Sequence, residues 1–326
     1  MRISLFIAGL LMTSTAFAKV RMEPISPIKK LTGLNKEKVE LGKKLYFERR
    51  LSKSGRISCN SCHDLALGGA DNMRVSLGHG FSKGPINSPT VYNSSYNLAQ
   101  FWDGRAKDLQ EQAGGPIANP GEMASSHDMA EKVINSIPEY KKAFKKVYGT
   151  KKVTINEITH AIAEFEKTLV TPNGRFDQWL KGDDNAITKK ELKGYETFKM
   201  KGCVACHSGP AVGGSMYQKF GLVNPPKKRD ANLGRYEVTK NPADKYVFKV
   251  PSLRNVELTY PYFHDGSVWD LREAVKIMGK TQLGVELTKT EQEDIVAFLK
   301  TLTGKIPSID YPHLPPSTLS TPHENM

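Results

Sequence analysis

Two short stretches combine residue types that do little for a fold and much for metal chemistry. Cys59-Asn60-Ser61-Cys62-His63 and Cys203-Val204-Ala205-Cys206-His207 each set two thiols three residues apart with a histidine directly after the second. That is the attachment pattern for c-type haem. At this spacing the thiols reach the two vinyl groups on one haem edge as thioethers, while the adjacent imidazole turns under the ring to bind iron, the usual proximal ligation. A single copy could equally be a redox or zinc pair. Two copies that use all four cysteines of the chain read as two covalent haems.

The other axial position at each iron decides what that haem does. His79, sixteen residues after His63 in the glycine-flanked Leu77-Gly78-His79-Gly80, could hold an imidazole over the other face of the first haem or release it; the alternative is a solvated loop histidine. For the second haem the candidates are Met200, Met216 and Met278, with His264 as an outsider. Met278 ends the apolar-periodic stretch from Leu271, far enough downstream to cover the opposite haem face, although a methionine at helical spacing is often core filler.

The elements that position these residues repeat. Leu41 to Phe47 precedes the first motif and Leu192 to Phe198 the second, both with the apolar spacing of an amphipathic helix. Gly68-Gly69 and Gly213-Gly214 follow at similar distances, and the first cysteines lie 144 residues apart, one domain length. The fold expected is therefore mainly α, two tandem cytochrome c-like helical domains. A helical stretch from Met129 to Tyr148 should be interrupted by Pro138, and Thr154 to Glu157 should cap a helix burying Ile158, Ile162, Phe165 and Leu169. Thr288 to Glu291 has the same capping form ahead of Ile295, Phe298, Leu299 and Leu302. Thr171-Pro172-Asn173-Gly174 marks the boundary, giving domains over 19–172 and 173–306 and an extended surface tail over 307–326.

Residues 1–18 read as a secretory signal peptide: a basic start, an apolar run from Ile3 to Met12 and the Ala16-Phe17-Ala18 cleavage form. That run is about half the ~20 residues of a membrane span, so export to the periplasm is expected, with no membrane span. A hydrophobic fraction of 39% with 27 glycines excludes disorder, collagen and coiled coil. Forty-seven basic against 34 acidic residues, a formal +13, favours an acidic partner surface, anionic lipid or nucleic acid, and charge alone does not choose among them. No recognition motif accompanies the charge, which argues against nucleic acid. Lys227-Lys228-Arg229 or the Lys141-Lys142 and Lys145-Lys146 pairs are candidates for steering such a partner; a solvated basic face is the alternative.

Further stretches carry a resemblance over nearly all of the chain after the leader. Phe101-Trp102-Asp103-Gly104-Arg105-Ala106, Gln112-Ala113-Gly114-Gly115-Pro116, Asn119-Pro120-Gly121-Glu122-Met123, Val250 to Val256, Tyr260-Pro261-Tyr262-Phe263-His264-Asp265-Gly266 and Met278-Gly279 occur in the order found in the bacterial di-haem cytochrome c peroxidases, which the chain resembles. The resemblance implies a periplasmic enzyme that reduces hydrogen peroxide with electrons from a small cytochrome c or cupredoxin. It implies that the N-terminal haem (Cys59, Cys62, His63) is the low-potential peroxide site with His79 as detachable ligand. The C-terminal haem (Cys203, Cys206, His207, Met278) would receive the electrons, consistent with thioether ligation favouring ferrous iron. It further implies Trp102 as a relay between haems, Glu122 and Gln112 in the peroxide pocket, and a homodimer. A calcium ion would be held by Asn87 and the carbonyls of Thr259 and Pro261.

Outside that resemblance, Glu122 reads as a loop carboxylate, Trp102 as a core aromatic and Asn87 as a turn residue. Arg254 is a candidate partner for a haem propionate, or else faces solvent. His264 is expected near a haem or the interface with no role assigned, and His127, His160, His313 and His323 as structural or surface residues. Two other classes compete: a di-haem electron carrier with both irons permanently six-coordinate, and a related maturation enzyme in which a tyrosine replaces the methionine ligand, against which Met278 argues.

Overall fold

The computed structural model describes residues 20–226 and 231–322; the expected leader, Lys227-Lys228-Arg229 and His323 lie outside the described residues. The first half carries α1 (Lys36–Tyr46), the single turn α2 (Cys59–Cys62), α3 (Leu109–Ala118), α4 (His127–Ser136), α5 (Pro138–Tyr148) and α6 (Ile155–Glu166). The second carries α7 (Arg175–Leu180), α8 (Lys189–Met200), α9 (Tyr236–Thr239), α10 (Leu271–Met278) and α11 (Lys289–Lys300). Start signals act where the sequence places them. Thr154 with Glu157 and Thr288 with Glu291 form reciprocal capping boxes ahead of α6 and α11. The run from Met129 to Tyr148 divides at Ile137, and Pro138 opens α5, where its missing N–H costs nothing. The sequence reading contains no strand. The structure adds a short antiparallel pair, β1 (Tyr217–Lys219) and β2 (Val247–Lys249), too brief to show a periodicity.

Helices α1 and α6 cross to form one core, α8 and α11 the other, and the two crossings are built alike. In the first, a Cβ on Gly42 would lie 1.8 Å from the Ala161 carbonyl oxygen; in the second, a Cβ on Gly194 would lie 1.8 Å from that of Asp294. Each glycine lets two helix backbones touch. Tyr46 meets Phe165 edge-on at 5.3 Å, and its counterpart Phe198 meets Phe298 at 5.2 Å. Ile162, Phe165 and Leu169 are buried in one core as Ile295, Phe298 and Leu302 are in the other, and Thr168 and Thr301 each donate to the phenylalanine carbonyl three residues back. Gly42→Ala or Gly194→Ala forces these helices apart. Each is expected to lose roughly 1–3 kcal/mol of stability, the usual cost of overpacking, read by denaturant titration.

The core changes hands between α6 and α7, but the two chain ends cross over. Residues 21–26, expected within the first domain, run against the second: Ile25 joins its core, the Arg21 amide donates to Leu180 O, and Tyr195 donates to Glu23. The tail from 307, expected to lie extended on the surface, packs on the first half. Tyr311 sits 4.8 Å from the Phe47 ring, Arg50 donates to Pro315 O at 2.8 Å, and Thr321 is buried beside Ser136. Isolated apolar residues in Pro-rich segments carry no period, so nothing local announces what they cover. Among the described residues no helix is long and apolar enough to cross a membrane.

Candidate functional site: two haem attachment sites

In the first half, α2 presents Cys59 and Cys62, and His63 turns out of its C-terminus. The His63 Nδ1 lies 3.0 Å from Pro89 O; donation there leaves Nε2 for iron, the usual outer-shell arrangement. Tyr46 donates to His63 O at 2.6 Å. Burial pushes the His63 pKa down, which favours the neutral, coordinating imidazole. The same burial pushes Cys62 up to about 11 and Cys59 further, opposite to the depressed thiol of a redox pair.

The His79 loop belongs to the same half and packs on the backbone at Glu122. The His79 amide donates to Glu122 O at 2.7 Å, and a Cβ on Gly78 would lie 1.9 Å from Gly121 O, so the loop rests directly on the Gly121-Glu122 backbone. Gly80 takes φ +62°, a conformation that suits glycine. The buried His79 Nδ1 has no hydrogen-bond partner, unlike that of His63. Glu122 is half-buried, and desolvation raises its pKa against the opposing effects of an Asn119 hydrogen bond and the Arg105 charge. Asn119 fixes the loop from both ends: its Nδ2 donates to Glu122 Oε1 at 2.6 Å while its Oδ1 accepts from the Gly121 amide at 2.9 Å. Arg105 packs over the Phe101 ring and pairs with Asp103. Gln112 is half-buried on α3, and no hydrogen bond joins its side chain to Glu122 among the described residues.

In the second half, His207 Nδ1 lies 3.2 Å from Val212 O, and burial pulls its pKa down to about 4. A cleft with about 1690 Å³ of empty space, counted to its open mouth, runs from Cys203, Cys206 and His207 across to Met278 at the end of α10. Met200 is exposed and Met216 stands outside the cleft, so of the candidate methionines only Met278 faces it. Lys249 and Asn97 also face the cleft. Lys249 is buried with no carboxylate partner among the described residues, burial lowers its pKa to about 8, and the buried Asn97 Oδ1 has no hydrogen-bond partner. A haem presents a flat apolar ring and two propionates; the apolar wall suits the ring and the Lys249 cation suits a propionate.

One wall of the cleft reaches back to the first site. Asn87, Ser88, Pro89 and Thr90 line it, and Pro89 is the residue whose carbonyl orients His63. Trp102 lines it too, donating from Nε1 to Asn87 O at 2.9 Å, with His264 and Phe248 edge-on at 6.3 and 6.5 Å. His264 stacks on Phe248 and accepts the Asn87 amide at its carbonyl. Asn87, Thr259 and Pro261 share the cleft wall.

Arg254 lies elsewhere than the sequence suggests. It is fully buried, outside the cleft, in a 2.8 Å ion pair with the equally buried Asp177 whose N–H points off the oxygen, so charge rather than hydrogen-bond alignment holds it. Its Nε donates to Pro210 O and its Nη2 to Ser26 O. The guanidinium is satisfied by protein, and the buried cation that faces the cleft is Lys249. Lys249 stands in the apolar run Val247-Phe248-Lys249-Val250, whose last three residues are all buried, and nothing local marks it as cleft-facing. His127 bonds Gly114 O at the surface, and His160 pairs with Tyr148.

Two helical units, each closing on a Cys-pair-histidine site and joined through a tryptophan-bearing wall, define a tandem di-haem c-type cytochrome. A sequence profile for di-haem cytochrome c peroxidase matches residues 36–185, and one for cytochrome c matches 192–303. The cytochrome c551 peroxidase of Nitrosomonas europaea is 60% identical over 311 residues, covering 95% of this chain and 93% of that one. That of Pseudomonas aeruginosa is 52% identical over 297 residues, covering 89% and 85%. Among solved structures, a MauG-like protein associated with microbial copper homeostasis superposes with a TM-score of 0.76 at 26% identity, covering 86% of this chain and 93% of that one. The chain belongs to the di-haem cytochrome c peroxidase family and carries two haem c groups; it is a cytochrome c peroxidase.

Proposed function

We propose that hydrogen peroxide is reduced to water at the N-terminal haem, with electrons delivered by a small cytochrome c or cupredoxin to the C-terminal haem in the periplasm. The observation that carries this reading is the contrast between imidazoles. His63 and His207 each have Nδ1 turned toward a backbone carbonyl, which favours permanent ligation, whereas the buried His79 Nδ1 is unpartnered and its loop rests on the backbone of Glu122. A ligand so loosely oriented is suited to leave, and its departure uncovers the carboxyl beside it. This is a population shift between closed and open loops, coupled to reduction at the other site.

When bound, the haem supplies the open iron position and the electrons for O–O cleavage. Glu122 takes the proton from the peroxide oxygen that binds and returns it to the oxygen that leaves; with two electrons and two further protons, two waters form. Asn119 holds the carboxyl in place, and Gln112 orients peroxide. Met278, facing His207 across the cleft, would help hold the C-terminal haem, and Trp102 would carry electrons along the Asn87–Thr90 wall. A calcium ion with an oxygen shell from Asn87 and the Thr259 and Pro261 carbonyls braces that wall, and the enzyme works as a homodimer. Lys141, Lys142, Lys145 and Lys146 on α5 present an exposed cationic face for an acidic donor; turnover with a protein donor should then fall steeply with salt, while turnover with a small neutral donor does not.

Adding one electron per molecule to the holoprotein tests the scheme. The N-terminal haem should turn high-spin, and peroxide should then consume two donor electrons each. If both haems stay low-spin and peroxide is untouched, the chain is an electron carrier and Glu122 loses its role.

A further inference from the structure

The two helix crossings share one register, and among the positions at which they differ in kind one lies at the haem sites. The register that pairs Ile162, Phe165 and Leu169 with Ile295, Phe298 and Leu302 pairs Glu166 with Leu299. Leu299 lines the C-terminal haem cleft. Its counterpart in the N-terminal site is a carboxylic acid only 5% exposed, whose Oε2 has no hydrogen-bond partner. Glu166 follows Phe165, which meets Tyr46 at 5.3 Å in the core against which Cys59 packs, and its charge raises the pKa of both the Tyr46 hydroxyl and the Cys59 thiol.

We propose that Glu166 is a proton-coupled carboxyl in the wall of the N-terminal haem pocket: its carboxylate form holds that haem's potential down, and it takes up a proton when the haem is reduced. In the coupled step one electron arrives from the C-terminal haem and one proton from solvent. The only bond formed is the carboxyl O–H, and both are released when the electron passes on. An unscreened negative charge in a low-dielectric wall opposes the loss of positive charge at iron, and neutralising it removes that opposition.

The surroundings leave this job to Glu166. From α1 it faces Tyr46, whose hydroxyl is committed to His63 O. From α2 it faces Cys59, a thioether once haem is attached. On its own helix Glu164 is paired with Lys167. No cation is paired with Glu166 among the described residues, and desolvation alone lifts its carboxyl to about 8, within reach of a coupled titration near neutral pH. The C-terminal site, with Leu299 in the same place, lacks this group.

The inference rests on the reading of the N-terminal haem as the low-potential partner only for its direction. The test is a redox titration of the holoprotein, each haem followed by its own absorption bands, at a series of pH values from about 6 to about 9 bracketing the raised carboxyl. In the unmodified protein the N-terminal reduction equilibrium should shift with pH by up to tenfold per unit, about 59 mV for one electron. Glu166→Gln and Glu166→Leu should flatten that dependence and make the haem easier to reduce. Glu166→Asp should keep the slope, and the C-terminal haem should not change. A flat response in the unmodified protein overturns the proposal without any variant. A slope retained in Glu166→Gln overturns it too, and assigns the proton to a haem propionate. If instead the N-terminal haem titrates above the C-terminal one while the slope still vanishes in Glu166→Gln, the potential assignment fails and the proton coupling stands.

Discussion

Glu122→Gln should lower kcat/KM for peroxide by about 10²- to 10⁴-fold, the range in which a positioned acid–base group acts, while both haems attach and their spectra stay unchanged. Glutamine is nearly isosteric, and its Oε1 can still accept the 2.6 Å hydrogen bond from Asn119 Nδ2. The His79 amide bonds the backbone oxygen of residue 122, which the substitution leaves in place. Loop geometry is therefore retained and only the ability to carry a proton is lost. Burial makes the native carboxyl a stronger proton acceptor than one in water, which suits it to draw a proton from a weak acid such as peroxide. Steady-state turnover with a reduced small cytochrome c checks this; activity within threefold of the unmodified enzyme would falsify the assignment.

Arg254→Met should be the most destabilising single change outside the haem motifs, by about 3–5 kcal/mol, because it strands a buried carboxylate. Asp177 and Arg254 are both fully buried and answer each other's charge. The guanidinium also joins three segments distant in sequence: α7 through Asp177, the loop after the second haem motif through Pro210 O, and the chain start through Ser26 O. Losing it should loosen the C-terminal haem loop and the crossing N-terminal segment together. The double variant Arg254→Met with Asp177→Leu should recover much of the loss, since replacing both charges removes the desolvation cost along with the attraction. Denaturant unfolding of the four proteins of this cycle gives the coupling directly. Equal losses in the single and double variants would show that packing alone, and not charge, matters there.

Much of this protein is legible in one dimension, because its chemistry is written in short spacings. Two thiols and a histidine within five residues mark where each haem is expected to attach, and capping boxes at Thr154 and Thr288 fix where α6 and α11 begin. Periodic apolar positions name the core, and the repeat is visible in its helices before any coordinates exist. Each of these signals is local, set by backbone geometry over one or two turns. What the tertiary structure alone decided depends on contacts between residues far apart. It sent Arg254 to Asp177 rather than toward a propionate, turned Lys249 into the cleft, laid the two chain ends across the opposite cores, and left Glu166 where its counterpart is a leucine. A sequence states which groups are charged or apolar, but whether a charge meets an opposite charge, a cofactor or nothing is settled by what long-range packing brings within 3 Å of it, and burial multiplies the consequence.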